Sequence, residues 1–393
     1  MNRAANAALP APPDRAVRLR ELAWVFLKLG TIGFGGPAAH IALMEEEVVR
    51  RRAWMSREEF LDLLAATHLI PGPNSTEMAI HVGQRRAGFP GLMVAGACFI
   101  LPAAVLVTAA AWSYTRFAAY PSADMALHAM KPAIVAIVAQ ALWSLGRSAI
   151  RNRWLALLAF IGLLANLGGT QELLVVGACG VLAWLAQSAG PGDRRPPRLP
   201  MVIPSVAVAA GAGAGIPAAF ALWPMFLIFL KIGSVLFGSG YVLLAFLRGD
   251  LVQRLGWLSE GQLLDAVAVG QFTPGPVFTT ATFIGYILGG VPGAMVATLG
   301  IFLPAFVFVA VSGPIVPRLR RSAAAGAALD GIVVGSLAVM GAVTVNLARV
   351  AIVDTMTGAI AIVSAVLLFR FRISSAWLVL GAGLTGVVAA ATR

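Results

Sequence analysis

Charged residues are scarce in this sequence, and their scarcity excludes a soluble globular protein. Asp, Glu, Lys and Arg make up 12% of the 393 residues, whereas 59% are hydrophobic and the mean hydropathy is +0.85. Soluble domains carry about 25% charged residues. The composition therefore predicts an all-α polytopic membrane protein, with the lipid bilayer as its surroundings.

Cysteine is nearly absent too. Cys98 and Cys179 both lie in apolar runs, and two cysteines are too few for a disulfide framework or a cysteine metal site. The sequence has no Walker loop, so ATP-driven transport by this chain is not expected. No cofactor and no metal ion are predicted. Scattered histidines leave one alternative open, a metal site in a membrane enzyme: His40, His68, His81 and His128.

Basic residues outnumber acidic ones by 29 to 17, which gives a formal net charge of +12. The main explanation is the excess of Lys and Arg on the cytoplasmic side of membrane proteins, and attraction of an anionic substrate is a smaller contribution. No soluble basic face is visible, so nucleic acid is not an expected partner. Residues 1–20 are predicted to be a disordered cytosolic N-terminus, and residues 188–200 a cytosolic linker rich in Pro, Gly and Arg.

Long apolar runs predict about eleven membrane spans and two broken segments, because roughly 20 apolar residues suffice to cross the hydrocarbon core. Residues 91–115, 293–317 and 374–392 contain no charged residue. Arginines lie both in the N-terminus and in residues 50–57, on either side of the first helix. These topology signals conflict unless that helix does not fully cross the membrane.

The sequence contains an internal repeat. Residues 26–36, FLKLGTIGFGG, align with residues 229–239, FLKIGSVLFGS, at an offset of 203. At the same offset the Pro-Gly-Pro at 71–73 aligns with the Pro-Gly-Pro at 274–276. The offset then becomes 202 after a one-residue gap, and the match continues as far as Pro304. Gene duplication explains why so many unusual residues of the two segments align at nearly one offset.

The duplication predicts two homologous transporter repeats of transmembrane helices, residues 21–187 and residues 201–393, the second with a homologous core at 222–316. Duplicated membrane proteins are most often transporters, with the site near the midplane where the repeats meet. We expect inverted repeats if the Pro-Gly-Pro segments cross the bilayer, and parallel repeats if they are re-entrant. Loops at equivalent positions of the two repeats differ in which repeat carries more arginines, and this difference favours inverted repeats.

Each repeat holds two broken segments, one Gly-rich and one with Pro-Gly-Pro, that fit an anion site. Proline breaks a helical turn, and glycine lets the backbone approach a ligand. Irregular backbone at membrane depth is either buried in protein, as in a packing kink, or lines a cavity. Restarted half-helices direct free N–H groups at an anion. The predicted substrate-binding residues are Lys28, Gly33, Gly35, Gly36, His68, Pro71, Gly72, Pro73 and Asn74, and then Lys231, Gly238, Ser239, Gly240, Gln271, Pro274, Gly275 and Pro276.

Three acids near the breaks are candidates for coupling or charge pairing: Asp62, Glu77 and Asp265. The matched lysines, Lys28 and Lys231, would each contact the anion, with snorkelling to the membrane edge as the alternative. The matched acids, Asp62 and Asp265, would carry a proton or pair with a cation such as Lys28; alternatively, they lie on the surface of an amphipathic helix. The run EEEVVRRR at 45–52 is expected to be a solvated loop at the membrane edge.

This pattern resembles the chromate ion transporter family in its long, two-domain form. The residues that carry the resemblance are Lys28 with GFGG at 33–36, AWMSREEF at 53–60 and Pro-Gly-Pro at 71–73, with the copies FGSG at 237–240, residues 256–276 and TATFIGY at 280–286. The resemblance implies a secondary transporter, not an enzyme, that exports the dianion chromate across the inner membrane. It also implies chromate resistance as the biological result, and sulfate as a competitor.

The two halves differ where Gly36 is replaced by Ser239 and Asn74 by Val277, so they need not contribute equally to a site. An inside-negative potential favours export of a dianion by roughly 4–5 kcal/mol per 100 mV, because each charge contributes about 2.3 kcal/mol. Two alternatives stay open: an importer or exchanger of sulfate or another oxyanion, and a membrane-embedded enzyme or scaffold. A homodimer is compatible with the sequence.

Overall fold

The computed structural model describes the following residues: 14–118, 120–188, 220–237, 240, 242–320, 322–371 and 373–392. These residues form helices and no strand, which confirms the predicted all-α fold. The first helix begins at Arg15, so the prediction that residues 15–20 belong to a disordered N-terminus is wrong. From residue 189 onward, the predicted linker lies outside the described residues.

Matched helices make up the two repeats. The first repeat has α1 (Arg15–Ile32), α2 (Gly36–Glu45) with a π-helix (Glu46–Arg51), α3 (Arg57–Thr67), α4 (Asn74–Phe117), α5 (Pro121–Ala149), α6 (Arg153–Leu167) and α7 (Glu172–Ser188). The second repeat has α8 (Leu222–Val235), α9 (Leu243–Leu247) with a π-helix (Arg248–Arg254), α10 (Glu260–Phe272), a 3₁₀ turn (Val277–Thr279), α11 (Thr280–Arg320), α12 (Ala323–Ala351), α13 (Thr355–Phe371) and α14 (Ser375–Ala391). The π-helices occur at equivalent places, so the duplication extends to an uncommon local structure.

Helix α4 is a hairpin of two helices, because the backbone reverses direction at a glycine. Residues 74–86 (α4a) and 89–117 (α4b) flank Gly88, which adopts φ 66° and ψ −151°. The two arms touch, since a Cβ on Gly83 would lie 2.2 Å from the carbonyl oxygen of Gly91. Glycine therefore permits both the reversal and the close approach of the arms.

Helix α11 repeats this arrangement. Residues 280–288 (α11a) and 291–320 (α11b) flank a second reversal at Gly290. The hydroxyl oxygens of Thr282 and Thr298, one on each arm, are 2.7 Å apart. Each repeat thus contains a short half-helix followed by a long helix that runs back beside it.

Helices α3 and α4a form a re-entrant hairpin whose apex is the Pro-Gly-Pro at 71–73. The Nη2 atom of Arg85, near the end of α4a, lies 3.0 Å from Oε1 of Glu59, near the start of α3. The N–H of Ser56, which donates to the Glu59 carboxylate, and next the Arg85 guanidinium, hold the pKa of Glu59 below its ordinary value. Because the start of one arm meets the end of the other, both arms open to the same membrane face.

Helix α1 does not cross the membrane either, since α2 and its π-helix return to the face where α1 begins. Arg86, at the end of α4a, pairs with Glu21 near the start of α1. Its Cζ atom lies 4.1 Å from the centre of the Trp54 ring, and the Trp54 N–H donates to the Val48 carbonyl at 2.8 Å. The arginines that begin α1 and those of residues 50–57 therefore lie on one face, which removes the conflict between the topology signals.

The second repeat is inverted relative to the first. Gly275, in the second apex (residues 274–276), lies against Ala103 of α4b, where a Cβ on the glycine would be 2.4 Å from the alanine Cβ. Further along α4b, the Tyr114 hydroxyl donates to Asp265 of α10 at 3.0 Å. The second hairpin therefore enters from the face where α4b ends, whereas the first enters from the face where α4b begins.

Re-entrant segments and inverted repeats thus occur together, so the expectation that re-entrant segments make the repeats parallel is wrong. That expectation assumed that α1 crosses the membrane. Four helices of the described chain are long and apolar enough to span a membrane: Asn74–Phe117, Pro121–Ala149, Val277–Ser312 and Ala324–Ala351. Four further apolar helices of the described residues, α6, α7, α13 and α14, have at most 17 residues, whereas the apolar runs predict about eleven spans.

The repeats interlock through their last helices. Helix α5 packs against α13 and α14, and α12 packs against α6 and α7. A Cβ on Gly386 of α14 would lie 2.2 Å from the Met125 carbonyl oxygen of α5, and one on Gly331 of α12 would lie 2.3 Å from the Cys179 carbonyl oxygen of α7. Each repeat therefore buries part of its apolar surface against the other.

Candidate functional site

The two repeats meet at their broken segments through two equivalent backbone hydrogen bonds. The Gly72 N–H donates to the Leu236 carbonyl at 2.8 Å, and the Gly275 N–H donates to the Gly33 carbonyl at 2.8 Å. Leu236 and Gly33 hold the same position in the two repeats, directly after α8 and α1. Each Pro-Gly-Pro apex is thus held by the helix break of the other repeat, and we refer to these two hydrogen bonds as the apex contacts.

Only glycine fits at the two apices. Gly72 has φ +138° and Gly275 has φ +93°, a region that side chains disfavour. A Cβ on Gly72 would also lie 2.3 Å from Oε1 of Glu77. The predicted Pro-Gly-Pro motif therefore has a definite structural reason in both repeats.

Helix α4a begins directly after the first apex, so its amino-terminal N–H groups lie at the apex contacts. The Glu77 N–H donates to the Pro73 carbonyl at 3.0 Å, and the N–H groups of residues 74–76 precede this first bond of the helix. In the second repeat the 3₁₀ turn Val277–Thr279 follows Pro276 at the same place. Because the hairpins enter from opposite faces, the positive ends of the two half-helices approach each other.

Both predicted lysines are ion-paired with acids of the π-helices. The Nζ atom of Lys28 lies 2.5 Å from Oε1 of Glu47, and Lys231 pairs with Asp250. The Lys28 side chain is 36% exposed and the Lys231 side chain 15% exposed. Glu47 is thus a partner of Lys28 that the sequence did not predict, and a role of Asp62 in charge pairing stays a prediction. The lysines therefore place positive charge near the helix breaks, and their carboxylate partners partly neutralise that charge.

Sequence reasoning does not single out Glu47 or Asp250, although a signal was present. They are separated by the repeat offset of 203, as are Arg51 and Arg254, whose guanidinium nitrogens lie 3.3 Å and 3.0 Å from these carboxylates. The run at 45–52 is helical, and Glu47 within it is only 6% exposed, so the prediction of a solvated loop is wrong. A dense mixture of both charges conceals which acid faces inward.

The polar residues predicted at the apices differ between the repeats. Gln271 is buried and lines a small cavity with Gly240 and Thr280, whereas its counterpart His68 is exposed. Asn74 is half-buried at the start of α4a. The cavity has room for about one water molecule, so a tetrahedral oxyanion enters only if the segments around it move apart.

The three predicted coupling acids have different surroundings. Asp62 is exposed on α3. Asp265, its counterpart, is buried, lies 3.5 Å from Nζ of Lys131 and accepts a hydrogen bond from the Tyr114 hydroxyl, so it is not a surface acid. Glu77 is fully buried at the start of α4a. The two repeats therefore share the same backbone arrangement, but their acidic side chains differ in identity and burial.

Two predicted residues of the second break, Gly238 and Ser239, lie outside the described residues. Gly35 and Gly36 of the first break lie at the start of α2, next to the apex contacts. Across the described chain, no three His, Cys, Asp or Glu side chains gather closely enough to hold a metal ion. What the centre offers chemically is a set of converging N–H groups with ion-paired cations nearby, a combination that stabilises an anion.

Comparison with known sequences agrees with this arrangement. The family model described as "Chromate transporter" matches residues 20–184 and again residues 223–387. A chromate transport protein of Cupriavidus metallidurans is 33% identical, over 97% of this chain and 98% of its own length. One of Pseudomonas aeruginosa is 32% identical, over 92% of this chain and 90% of its own length.

A third relative, the "Probable chromate transport protein" of Synechococcus elongatus, is 30% identical, over 89% of this chain and 90% of its own length. No solved structure matches the chain. The long apolar helices and the double match together establish a multi-pass membrane protein with two repeats, consistent with a plasma-membrane location. The chain belongs to the chromate transporter family.

Proposed function

We propose that this protein is a secondary transporter that exports chromate across the plasma membrane and thereby confers chromate resistance. The observation that carries the proposal is the pair of apex contacts, Gly72 to Leu236 and Gly275 to Gly33, which bring four broken segments to one place between two membrane faces. Relatives named chromate transport proteins, which match this chain over nearly its whole length, support chromate as the substrate.

The proposed binding site lies at the apex contacts. The N–H groups of residues 75 and 76, in the first turn of α4a, and of residues 277 and 278, at the start of the second half-helix, would hold the oxygens of the anion. The ion-paired lysines, Lys28 and Lys231, would keep the surrounding potential positive without presenting bare charges to the apolar interior. Gln271, Asn74 and the other predicted polar residues would complete the set of donors.

Inverted hairpins suit a carrier that opens alternately to the two faces. The first hairpin opens to one face and the second to the other, so movement of either hairpin would expose the same central site from a different side. The small cavity beside Gln271 is too narrow for the substrate, which is consistent with a closed form that must open for each transport cycle.

The membrane potential supplies the direction. A dianion leaving an inside-negative cell gains roughly 4–5 kcal/mol per 100 mV, because each charge contributes about 2.3 kcal/mol. Export of chromate is therefore favourable without ATP. Sulfate has the same charge and the same tetrahedral arrangement of oxygens, so we expect it to compete for the site.

The test is accumulation of radiolabelled chromate in everted membrane vesicles energised with a respiratory substrate, with and without excess sulfate. Accumulation that sulfate suppresses supports chromate export through an oxyanion site. Flux of sulfate without flux of chromate would instead favour the importer or exchanger. Absence of both fluxes, with the protein present in the membrane, would contradict transport of these oxyanions and return attention to an enzyme or scaffold.

A further inference from the structure

Helix α4a carries three buried polar side chains that have atoms without a hydrogen-bond partner in the described structure. Thr76 and Glu77 are fully buried, and His81 is 6% exposed. The unpartnered atoms are Oγ1 of Thr76, both carboxyl oxygens of Glu77 and Nε2 of His81. Buried polar atoms in proteins are nearly always paired, and burial without a partner is costly. Three such side chains within six residues indicate that α4a binds a ligand.

The carboxyl group of Glu77 lies at the first apex contact. Its Oε1 would be 2.3 Å from a Cβ placed on Gly72, the residue whose N–H donates to Leu236. On the other side of the same position, the Cβ of Ala305 in α11b is 3.8 Å away. Helical side chains lean toward the helix amino terminus, so this carboxyl group lies beside the first-turn N–H groups of residues 75 and 76, where an anion would bind.

The second repeat does not carry this chemistry. A threonine stands at the position of Glu77, Thr280 at the offset of 203 and Thr279 at the offset of 202, and their hydroxyls donate to the Val277 and Pro276 carbonyls, each at 2.8 Å. Phe283 stands at the position of His81. The backbone plan therefore forms without a carboxyl group at this place, and the acid of the first repeat is not needed to build the hairpin.

No cation pairs with Glu77 among the described residues. Residues 291–312 of α11, which include Ala305 beside the first apex, contain no ionisable side chain. The neighbouring elements carry His68 directly after α3, His81 on α4a, Cys98 on α4b, His40 on α2, and the ion-paired Lys28 on α1 and Lys231 on α8. The charged residues of α3 are exposed, and Arg85 and Arg86 at the far end of α4a are ion-paired with Glu59 and Glu21.

We propose that Glu77 binds a proton together with the transported oxyanion, so that one proton crosses the membrane with each dianion; this inference rests on the function proposed above. The neutral carboxyl group donates a hydrogen bond to an anion oxygen held by the N–H groups of residues 75 and 76. The ionised carboxylate repels the dianion, because two like charges interact strongly in a space of low dielectric constant. Proton and anion therefore strengthen each other's binding by the same factor.

This coupling changes the charge that crosses the membrane. A dianion accompanied by one proton carries one net negative charge, so the membrane potential drives it half as strongly as the bare dianion. The proton must bind on the cytosolic side before export. Export therefore slows as the cytosolic pH rises.

The test uses the full-length protein in liposomes with a potassium diffusion potential and an entrapped pH dye. We expect about one proton to move with each chromate or sulfate ion, and the initial rate to fall by up to about tenfold per pH unit at alkaline pH. Glu77→Gln keeps a hydrogen-bond donor without the titratable proton, so it should transport either anion without protons and at a rate independent of pH. The exposed Glu58 offers a matched control, Glu58→Gln, that should behave as the wild type does.

A second measurement needs only the wild-type protein. Sulfate does not take up protons at or above neutral pH, so at the alkaline pH where wild-type export falls, its addition to purified protein in weak buffer should draw up to about one proton from solution per anion bound. Sulfate binding without proton uptake throughout that alkaline range overturns the inference even if Glu77→Gln fails to fold. Proton movement in Glu77→Gln equal to that in the wild type overturns it as well.

The outcomes separate this inference from the proposed function. Anion flux or binding without proton movement leaves the transporter intact and removes the role of Glu77. Absence of flux and binding for both anions overturns the proposed function, and the proton site falls with it.

Discussion

The N–H of Gly72 donates to the carbonyl of Leu236 at 2.8 Å, and this bond joins the apex of one repeat to the helix break of the other. The equivalent bond between Gly275 and Gly33 has the same length. The two hairpins enter from opposite faces of the membrane. The apex contacts therefore lie where a route for the substrate from one face would meet a route from the other face. Changes at these contacts should therefore affect transport before they affect assembly.

Gly275→Ala is expected to lower chromate uptake into everted vesicles by roughly tenfold, since overpacking costs about 1–3 kcal/mol. A Cβ at this position would lie 2.4 Å from that of Ala103, and φ is +93°. Uptake is normalised to the protein in the membrane. Gly146→Ala is the control, because a Cβ there meets nothing within 4 Å. Equal uptake by the two variants would contradict the steric argument.

Lys28→Gln and Lys231→Gln should each impair chromate transport while the protein still reaches the membrane. Each change leaves a carboxylate, Glu47 or Asp250, without its lysine and makes the potential near the apex contacts more negative. The larger loss is expected for Lys231, whose side chain is less exposed. Vesicle uptake and immunoblots of the same membranes measure both effects.

The control for the lysines is Arg153→Gln at an exposed position, which should leave uptake unchanged. Normal uptake in both lysine variants would remove the lysines from the proposed site and leave anion binding to the N–H groups alone.

The inverted arrangement predicts labelling from opposite faces. In a variant without Cys98 and Cys179, a cysteine at Glu58 should react with a membrane-impermeant maleimide from one face only. A cysteine at Gln262, in the equivalent turn of the second repeat, should react only from the other face. Both positions are exposed. Intact cells and everted vesicles provide the two orientations, and labelling of both cysteines from the same face would mean parallel repeats.

Asp265→Asn should destabilise the protein, whereas Asp62→Asn should not. The first change removes a buried carboxylate and leaves the half-buried Lys131 without its partner, and breaking a buried pair costs up to about 3–5 kcal/mol. The second lies on an exposed surface, where substitutions usually change stability by less than about 0.5 kcal/mol. The thermal unfolding midpoint in detergent should fall by several degrees for Asp265→Asn alone. An equal fall for both variants would show that the two repeats bury these acids alike.

Much of the architecture follows from local sequence. Apolar runs require membrane helices, and the Gly-rich and Pro-Gly-Pro segments require breaks, because proline lacks an N–H and glycine tolerates positive φ. The offset of 203 places the same breaks in both halves. These conclusions depend on neighbours in the chain or on comparison of two segments, so sequence reasoning reaches them.

The partners of the two lysines were harder to predict from the sequence. The lysines are recognisable as unusual in an apolar helix, yet their partners, Glu47 and Asp250, lie 19 residues further along the chain. Glu47 belongs to a run that contains three acids, and only the rotation of the π-helix selects the one that turns inward. The contrast between exposed Asp62 and buried Asp265 likewise depends on which helices cover each hairpin.

The sequence by itself determined a duplicated, helical membrane protein with broken segments at matched positions, because hydropathy, proline and glycine act locally. Only the tertiary structure decided that α1 and the Pro-Gly-Pro segments turn back, that the repeats are inverted and that each apex bonds to the other repeat. Hydropathy cannot distinguish a helix that crosses the membrane from a half-helix that enters and returns, since both bury the same apolar side chains. The contacts of Arg86 with Glu21 and of Gly72 with Leu236 make that distinction, because they join residues far apart in the chain.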